Sequence, residues 1–431
     1  MSAPLYESLL AYCPRARLHT PGHKGRMGGV FEQIARIDVT ELSATDDLYH
    51  PTGCLAQAEQ AASDFFGSWH TFFSAGGATL CIQTALSMFF GKKILMDRNS
   101  HVSAFHAVSA LDIRPEFLYN AVDVVPQPIS AEQVERACRK YPSAAAVYIT
   151  SPNYYGLCAD LRAIRAVCKR YQKKLIVDHA HGTHLYLTNP QSSAQAHADI
   201  VIDSAHKTLP VLTGGAYLHV NMESDISDIK EKMRYFGSTS PSFPILASLD
   251  FCREWLQTEG REAFAQSVAR VEALRQQLRR PQIRWVQGPI VDPMRICIRT
   301  RDGHGLAEYL EENGIYPEMA TQNTVVMLFS PLDTEDVFAA VGAFFEQIPF
   351  RILDADAVSA PPRLPRRRSY RSAFWSEAEP VKMSDSVGRT CARDVLPYPP
   401  GVPVVLCGEQ ITQDAARYLS ENGVKTVFVC K

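Results

Sequence analysis

Apolar runs of strand length alternate with stretches of helical spacing in the middle of this 431-residue chain. The strand candidates are Trp69–Ser74, Ile94–Asp97, Val124–Val125, Ala145–Ile149, Leu175–Asp178, Ile200–Ile202 and Ala216–Val220. The helix candidates are Leu55–Phe66, Leu80–Phe90, Glu132–Lys140 and Leu161–Tyr171. Strands that alternate with helices build βαβ units, so the pattern predicts an α/β fold with a mainly parallel sheet. Ligands of such sheets bind at the carboxyl ends of the strands.

Polar and small residues follow several of these strands, at the predicted ligand-binding edge. They are Ala75–Thr79, His101, Ser151–Gly156, Asp178 and Ser204–Lys207. Lys207 lies just beyond a buried strand, which is an unusual place for a solvated ammonium group. Desolvation lowers the pKa of a lysine amine and makes it a nucleophile toward carbonyl groups. We therefore predict that Lys207 is the reactive group of a site at this edge.

A phosphate site is predicted beside this lysine. A strand, a small-residue turn and a helix amino terminus follow one another here, and this arrangement binds anions through free backbone N–H groups. Gly77, Ala78 and Thr79 form the turn, while Ser204 and His206 could add side-chain donors. A reactive lysine next to a phosphate site predicts pyridoxal 5'-phosphate as the cofactor.

Asp178 and His101 complete the predicted catalytic set with Lys207. A carboxylate at position 178 can pair with the pyridine nitrogen and keep it protonated, which maintains the ring as an electron sink. The imidazole of His101 could stack on one face of the ring.

A metal site is a rival interpretation of the same region. His179, His181 and His184 have the H-x-H-x-x-H spacing of metal-dependent hydrolases, although Thr183 stands where that motif usually has aspartate. This interpretation leaves Lys207 and the glycine turn unexplained. Polar histidines on a loop, one of them facing the ligand, are a plainer alternative, and a non-catalytic binding protein on the same scaffold is a third.

The sequence changes character after Pro244. Long helices are predicted within Ile245–Arg280, and shorter strand and helix candidates follow. We divide the chain into an amino-terminal arm (1–25), a large cofactor-binding domain (26–244), a small α+β domain (245–350), a linker rich in proline and arginine (351–380) and a carboxyl-terminal domain (381–431).

Composition argues against several classes of partner. A formal net charge of -2 gives no reason to expect nucleic acid or an anionic membrane. No apolar segment reaches the length of a transmembrane helix. The 11 cysteines include no CxxC pair, so neither a disulfide framework nor a zinc ribbon is indicated. A cytoplasmic location is the resulting prediction.

A series of motifs in order resembles one known family, the pyridoxal-phosphate-dependent ornithine/lysine/arginine decarboxylases. The motifs are His19–Gly25, Thr45–Leu48 with Pro51–Gly53, Asp97–Asn99, Ser151–Gly156, Asp178–Gly182, Ser204–Pro210, Ser386–Arg389 and Pro397–Gly401. The resemblance covers nearly the whole chain and is to the short form of the family, without the amino-terminal wing domain. It implies the aspartate-aminotransferase fold for the large domain and a C-terminal decarboxylase domain at 381–431.

The resemblance also implies roles for individual residues. Lys207 would bind the cofactor covalently, Asp178 would pair with the pyridinium, and His101 would stack on the ring with Ala180 on the opposite face. The phosphate would be held by Ser204, His206 and the turn at residues 76–79, and His181 would also contact the cofactor. Family members are homodimers or larger, with sites at the subunit interface, so a homodimer or higher homo-oligomer is expected.

Three positions depart from the family pattern. The phosphate turn usually has Ser or Thr directly after its first glycine, where this chain has Gly77 and Ala78. The family usually has Lys at position 102 and Glu at position 179, where this chain has Val102 and His179. Each phosphate hydroxyl that is missing would cost about 1–3 kcal/mol of affinity where a group stays unsatisfied. Cofactor affinity and substrate identity are the properties these departures bear on.

The predicted function is the removal of the α-carboxylate of a basic amino acid, whether arginine, lysine or ornithine, which gives carbon dioxide and an amine of polyamine biosynthesis. No stretch of sequence distinguishes these three substrates or locates the acidic pocket for their distal cation. Transamination on the same cofactor, or a degenerate paralogue that binds it weakly, is the main alternative.

Overall fold

A seven-stranded sheet forms the centre of the molecule in the computed structural model, which describes residues 2–279, 283–356, 363–396, 402–421 and 423–431. The strands are β1 His70–Ser74, β2 Lys93–Asp97, β3 Arg114–Leu118, β4 Ala146–Thr150, β5 Lys174–Asp178, β6 Ile200–Asp203 and β7 Ala216–Val220. Their order across the sheet is β1-β7-β6-β5-β4-β2-β3. Strand β7 is antiparallel to both neighbours, and the other neighbouring pairs are parallel.

Helices cover both faces of this large sheet. The helices up to residue 236 are α1 Pro4–Ala11, α2 Glu32–Ile37, α3 Cys54–Phe66, α4 Gly77–Ser87, α5 Val102–Ala110, α6 Ala131–Lys140, α7 Leu161–Arg170, α8 Leu185–Thr188, α9 Ala205–Thr208 and α10 Ile226–Phe236. Alternate side chains of one strand enter different cores: Tyr148 and Ile176 face the core that α4 and α5 cover, whereas Val147 and Leu175 face the core under α6 and α7. Burial on both faces explains why these strands are continuous apolar runs.

One predicted strand is wrong. Val124 and Val125 are not in the sheet but pack with Tyr155 and Leu157 in a separate small cluster. The strand in this part of the chain is β3, which contains Pro115. Because proline removes a backbone donor and is tolerated at a sheet edge, the segment does not have the apolar pattern of a central strand.

A second sheet follows a long, interrupted helix. Helix α11 (Phe243–Trp255) continues through a π-helical turn (Leu256–Gly260) into α12 (Arg261–Gln277), within the predicted helical region, whose last residue, Arg280, is outside the described residues. The four-stranded antiparallel small sheet has the order β10-β11-β9-β8. Its elements are β8 Arg284–Trp285, β9 Arg295–Arg299, α13 Gly303–Glu312, β10 Met319–Thr321, β11 Thr324–Leu328 and α14 Glu335–Gln347.

The described residues from 363 onward, here called the carboxyl-terminal segment, have a small core of their own. Their elements are α15 Tyr370–Phe374, β12 Ala378–Lys382, α16 Gln413–Glu421 and β13 Thr426–Cys430. The motif at Pro397–Gly401 and residues 357–362 of the predicted linker are outside the described residues. Among the residues that the structure describes, no helix is both long and apolar enough to cross a bilayer.

Candidate active site

The carboxyl edge of the large sheet brings Lys207, Asp178 and His101 into one region. Asp178 is the last residue of β5, and Lys207 lies in α9, directly after β6. Asp178 acts electrostatically on both Lys207 and His101. The ammonium nitrogen of Lys207 is 3.1 Å from Nε2 of His181 and 5.9 Å from the ring centre of Tyr154.

Burial makes the Lys207 amine more reactive. It lowers the pKa of Lys207, and Arg295 assists this effect while the charges of Asp178 and Glu318 oppose it. The pKa of His181 lies well below its usual value, because of burial and of the nearby Lys207 charge. A neutral His181 can accept a hydrogen bond from Lys207, so the amine has a fixed partner and a larger unprotonated fraction than a solvated lysine.

Asp178 is fixed by two donors. Its carboxylate is buried, the hydroxyl of Tyr148 donates to Oδ2 at 3.1 Å, and the backbone N–H of Ala180 donates to Oδ1 at 3.2 Å. Tyr148 is paired in register with Ile176, so it lies on the same face of the sheet as Asp178, two residues further along β5. Sequence reasoning missed Tyr148, although a lone hydroxyl in a fully buried strand was an available signal.

His101 is the amino-terminal cap of α5. Its Nδ1 accepts from the backbone N–H of Ser103 at 3.3 Å and lies 2.7 Å from the Ser103 hydroxyl, which fixes the orientation of the ring. Burial lowers the pKa of His101, Asp178 opposes that shift, and the Lys207 charge adds to it. Val102, one of the three departures, is the first residue of α5.

The predicted phosphate turn is the amino terminus of α4. Gly77 has φ 65°, which favours glycine, and its N–H donates to the Gly214 carbonyl at 2.8 Å rather than being free for a ligand. The N–H groups of Ala78 and Thr79 have no acceptor among the described residues. The expectation of three free backbone donors is therefore corrected to two, because the Gly77 N–H already has an acceptor.

The side chains predicted to help at this turn lie around α9. The hydroxyl of Ser204 is buried 3.4 Å from Nδ1 of His206, which is also 3.1 Å from the Gly215 carbonyl. Burial lowers the pKa of His206. The Thr208 hydroxyl, which sequence reasoning missed, is buried with no partner in the described part of the chain.

The three histidines of the rival metal motif have different partners. His179 contacts the Ser151 carbonyl, His181 contacts Lys207, and His184 Nε2 is 2.8 Å from the Asp292 carboxylate. Within the described ranges, no three His, Cys, Asp or Glu side chains are grouped so that they could hold a metal ion. This arrangement gives the hydrolase interpretation no support.

The small sheet contributes two charged residues that the sequence did not single out. Arg295 is buried, donates to the carbonyl oxygens of Asn153 and Tyr154 at 3.1 and 3.3 Å, and so holds the loop that carries the Tyr154 ring. Glu318, just before β10, is exposed and close enough to Lys207 to influence it electrostatically. No local pattern identified either residue, because the second sheet is distant in sequence from Lys207.

Comparison with known proteins gives two family matches. Residues 3–299 match the Orn/Lys/Arg decarboxylase major domain, and residues 356–423 match the C-terminal domain of the same family. The chain is 34% identical to the uncharacterized protein YaaO of Bacillus subtilis, over 97% of this chain and 94% of that protein. It is 30% identical to an arginine decarboxylase of Halalkalibacterium halodurans, over 97% and 93% of the two chains.

Solved structures show the same fold. The E. coli constitutive lysine decarboxylase superposes with a TM-score of 0.82 at 20% identity, covering 100% of this chain and 82% of that one. A structure of SPT with PLP superposes with a TM-score of 0.57 at 17% identity, over 68% and 75% of the two chains. The predicted fold class, an α/β large domain of the aspartate-aminotransferase type with further domains, is confirmed.

The residues at the sheet edge fit pyridoxal phosphate. An amine of lowered pKa suits its aldehyde, a fixed buried carboxylate suits its pyridine nitrogen, and two unpaired N–H groups at the start of α4 suit its phosphate. The family matches confirm the predicted carboxy-lyase activity and pyridoxal-phosphate dependence. With most of its length matched by the major-domain model alone, the chain belongs to the Orn/Lys/Arg decarboxylase family.

Proposed function

We propose that this basic amino acid decarboxylase acts on arginine. Relatives that share its length and are 28–30% identical to it are named arginine decarboxylases, whereas the lysine decarboxylases are 22–23% identical. The observation that carries the proposal is the charge of Glu318 acting on Lys207. An acidic group on the small sheet, facing the reactive amine on the large sheet, suits a substrate with a cation at the far end of its chain.

Bound pyridoxal phosphate supplies the electron sink for the pair of electrons left when carbon dioxide departs. Lys207 provides the amine that attaches the cofactor, and its lowered pKa favours the unprotonated, nucleophilic form. Asp178, held by Tyr148, keeps a proton at the pyridine nitrogen. His101 and Ala180 bound the two faces of the ring, and the phosphate is held by Ala78, Thr79, Ser204 and His206.

Lys207 also carries the proton that replaces carbon dioxide at the substrate's α-carbon. Its hydrogen bond to the neutral His181 keeps the amine at a defined position between proton transfers. Tyr154, whose ring is 4.6 Å from that of His181, covers this pair and limits the access of water.

Substrate assays separate the alternatives. We expect carbon dioxide release from arginine to exceed that from lysine and ornithine, and the visible absorption of the bound cofactor to disappear in Lys207→Ala. Formation of a keto acid without carbon dioxide would favour transamination. Absence of both products, with weak cofactor retention, would favour a degenerate paralogue.

Glu318→Gln tests recognition of the distal cation. Loss of a hydrogen bond to a charged group costs about 1.5–3 kcal/mol, and since Glu318 is exposed we expect the low end, a rise of about tenfold in KM for arginine. Glu311→Gln, which neutralises an exposed glutamate on α13, is the matched control and should leave KM unchanged. Equal KM values for the two variants would remove Glu318 from the proposal.

We further propose that the chain forms a homodimer through its amino-terminal region. Leu18, Val30 and Phe31 are large apolar side chains that are 93%, 83% and 53% exposed in the single chain, and a second copy would cover them. Val30→Glu combined with Phe31→Glu should shift the mass measured by light scattering to that of a monomer. An unchanged mass would show that other surfaces hold the subunits together.

A cytoplasmic location is proposed because all eleven cysteines are free thiols. We also propose that the amine product serves polyamine biosynthesis, since decarboxylation of arginine leaves a molecule with two cationic ends.

A further inference from the structure

Arg98 links the active-site edge of the large sheet to the carboxyl-terminal segment. It follows β2 directly, and its guanidinium donates to the carbonyl oxygens of Pro403 at 2.6 Å and Val404 at 3.0 Å. The same group is 3.2 Å from the buried carboxylate of Glu409. All three acceptors belong to one short stretch of the carboxyl-terminal segment, so a single side chain holds that stretch against the end of β2.

The Arg98 guanidinium also lies against the helix that carries His101 as its cap. Its central carbon is 6.0 Å from the ring centre of Phe105 on α5 and 5.7 Å from that of Phe117 on β3. Phe105 is stacked in turn on Tyr370 of α15, with ring centres 6.4 Å apart. Helix α5 is therefore in contact with the carboxyl-terminal segment both through Arg98 and directly.

A short, hydrogen-bonded turn connects Arg98 to His101. The Asp97 carboxylate accepts from the backbone N–H of Asn99 at 2.8 Å, and the Asp97 carbonyl accepts from the hydroxyl of Ser100 at 2.6 Å. The backbone N–H of Arg98 donates to the Leu118 carbonyl at 2.8 Å. Because the turn is closed by bonds within it and to the neighbouring strand, a shift of Arg98 is transmitted to His101 rather than absorbed between them.

We propose that Arg98 is a positioning residue for cofactor binding: by bonding to the carboxyl-terminal segment it holds the turn at 97–101 and thus sets His101 against the cofactor ring. The inference rests on the proposed role of His101. An arginine that only anchored two parts of the chain would change stability and leave the cofactor's surroundings unaltered.

The test titrates apoprotein variants with pyridoxal phosphate in the absence of substrate. We expect Arg98→Ala to raise the cofactor Kd about tenfold, as loss of hydrogen bonds to a charged group predicts, and to change the visible circular dichroism of the bound cofactor. Arg98→Lys, which keeps the charge facing Glu409 but not the forked donor, should be intermediate in both. Melting temperatures recorded in parallel separate general destabilisation from the local effect.

Arg366→Ala is the matched control. Arg366 also joins the carboxyl-terminal segment to β3, 3.5 Å from the Pro115 carbonyl and 4.9 Å from the ring centre of Phe117, but at the opposite end of the strand from the 97–101 turn. We expect its Kd and dichroism to match those of the parent.

The inference is overturned if Arg98→Ala retains the parent's Kd and dichroism, or if Arg366→Ala alters them as much. If Arg98→Ala does not fold, Arg98→Lys decides: parent-like binding with a lower melting temperature assigns Arg98 a purely structural role. A parent protein that binds no cofactor would overturn the proposed function as well, whereas normal binding by parent and variants alike would overturn this inference alone.

Discussion

Removal of one hydroxyl, in Tyr148→Phe, would test the construction of the cofactor site. The Tyr148 side chain is fully buried and its hydroxyl donates to Oδ2 of Asp178 at 3.1 Å. The substitution keeps the aromatic ring, so no large cavity forms in the core. What is lost is one of two donors that fix the Asp178 carboxylate.

The magnitude follows from the type of bond. A hydrogen bond to a charged group contributes about 1.5–3 kcal/mol, more than the roughly 1 kcal/mol of a neutral pair. If that loss falls on the hold of the carboxylate on the pyridine nitrogen, the cofactor Kd rises by about tenfold to a hundredfold. The free energy of unfolding of the apoprotein should fall by a similar amount.

Tyr217→Phe is a control within the same core. Tyr217 is also fully buried, but its hydroxyl donates to the neutral Leu249 carbonyl at 2.7 Å. We expect it to lower the free energy of unfolding by about 1 kcal/mol without changing the cofactor Kd. Urea denaturation of the apoproteins and titration with pyridoxal phosphate measure the two quantities separately.

The reasoning would be refuted if Tyr148→Phe bound the cofactor as tightly as the parent while losing stability. Asp178 would then keep its position through the Ala180 N–H alone. Equal increases in Kd for Tyr148→Phe and Tyr217→Phe would also refute it, because they would trace the effect to general loosening of the core.

Further predictions concern charge and pH. Because burial lowers the pKa of Lys207 in the folded protein, its protonation opposes folding below that pKa; Lys207→Met should therefore stabilise the apoprotein at pH 7, and urea denaturation should show this gain vanishing as the pH rises toward the ordinary lysine value of 10.5. Burial alone would raise the pKa of Asp292, but the charge and hydrogen bond of His184 and the charge of Arg295 lower it to about 2. Its contribution to stability is thus complete above the usual 3.8 and lost as the pH falls to about 2, so Asp292→Asn should be less stable than the parent by about 2 kcal/mol at pH 6 and lose less on acidification. Chemical denaturation at pH 6 and pH 2 checks both statements, and parallel acid sensitivity of parent and variant would contradict the second.

The residues at strand ends were predictable because the pattern that makes a buried parallel strand also fixes where it ends. Asp178 and Lys207 each follow an apolar run, and the parallel register brings those ends to one edge. Tyr148 and Glu318 were not found, since nothing local distinguishes a tyrosine that bonds across strands or a glutamate on another sheet.

The misplaced strand has a similar cause. Val124 and Val125 have the composition of a strand, yet their partners belong partly to the small sheet, including Cys297 and Val326. Apolar pattern indicates that a segment is buried but not which core receives it. Edge strand β3, with Pro115 and Glu116, lacks the pattern altogether.

The π-helical turn at Leu256–Gly260 has a consequence for how substrate preference can change. Such a turn contains one more residue than the α-helical turn it replaces, and it stands where α11, packed on the large sheet, becomes α12. Loss of one residue there would rotate everything beyond it by about 100°, the angle between successive residues of an α-helix. Because Lys207 precedes the turn and Glu318 follows it, a single deletion remote from both would reset the reach between the reactive amine and the acidic group, and with it the length of side chain the enzyme accepts.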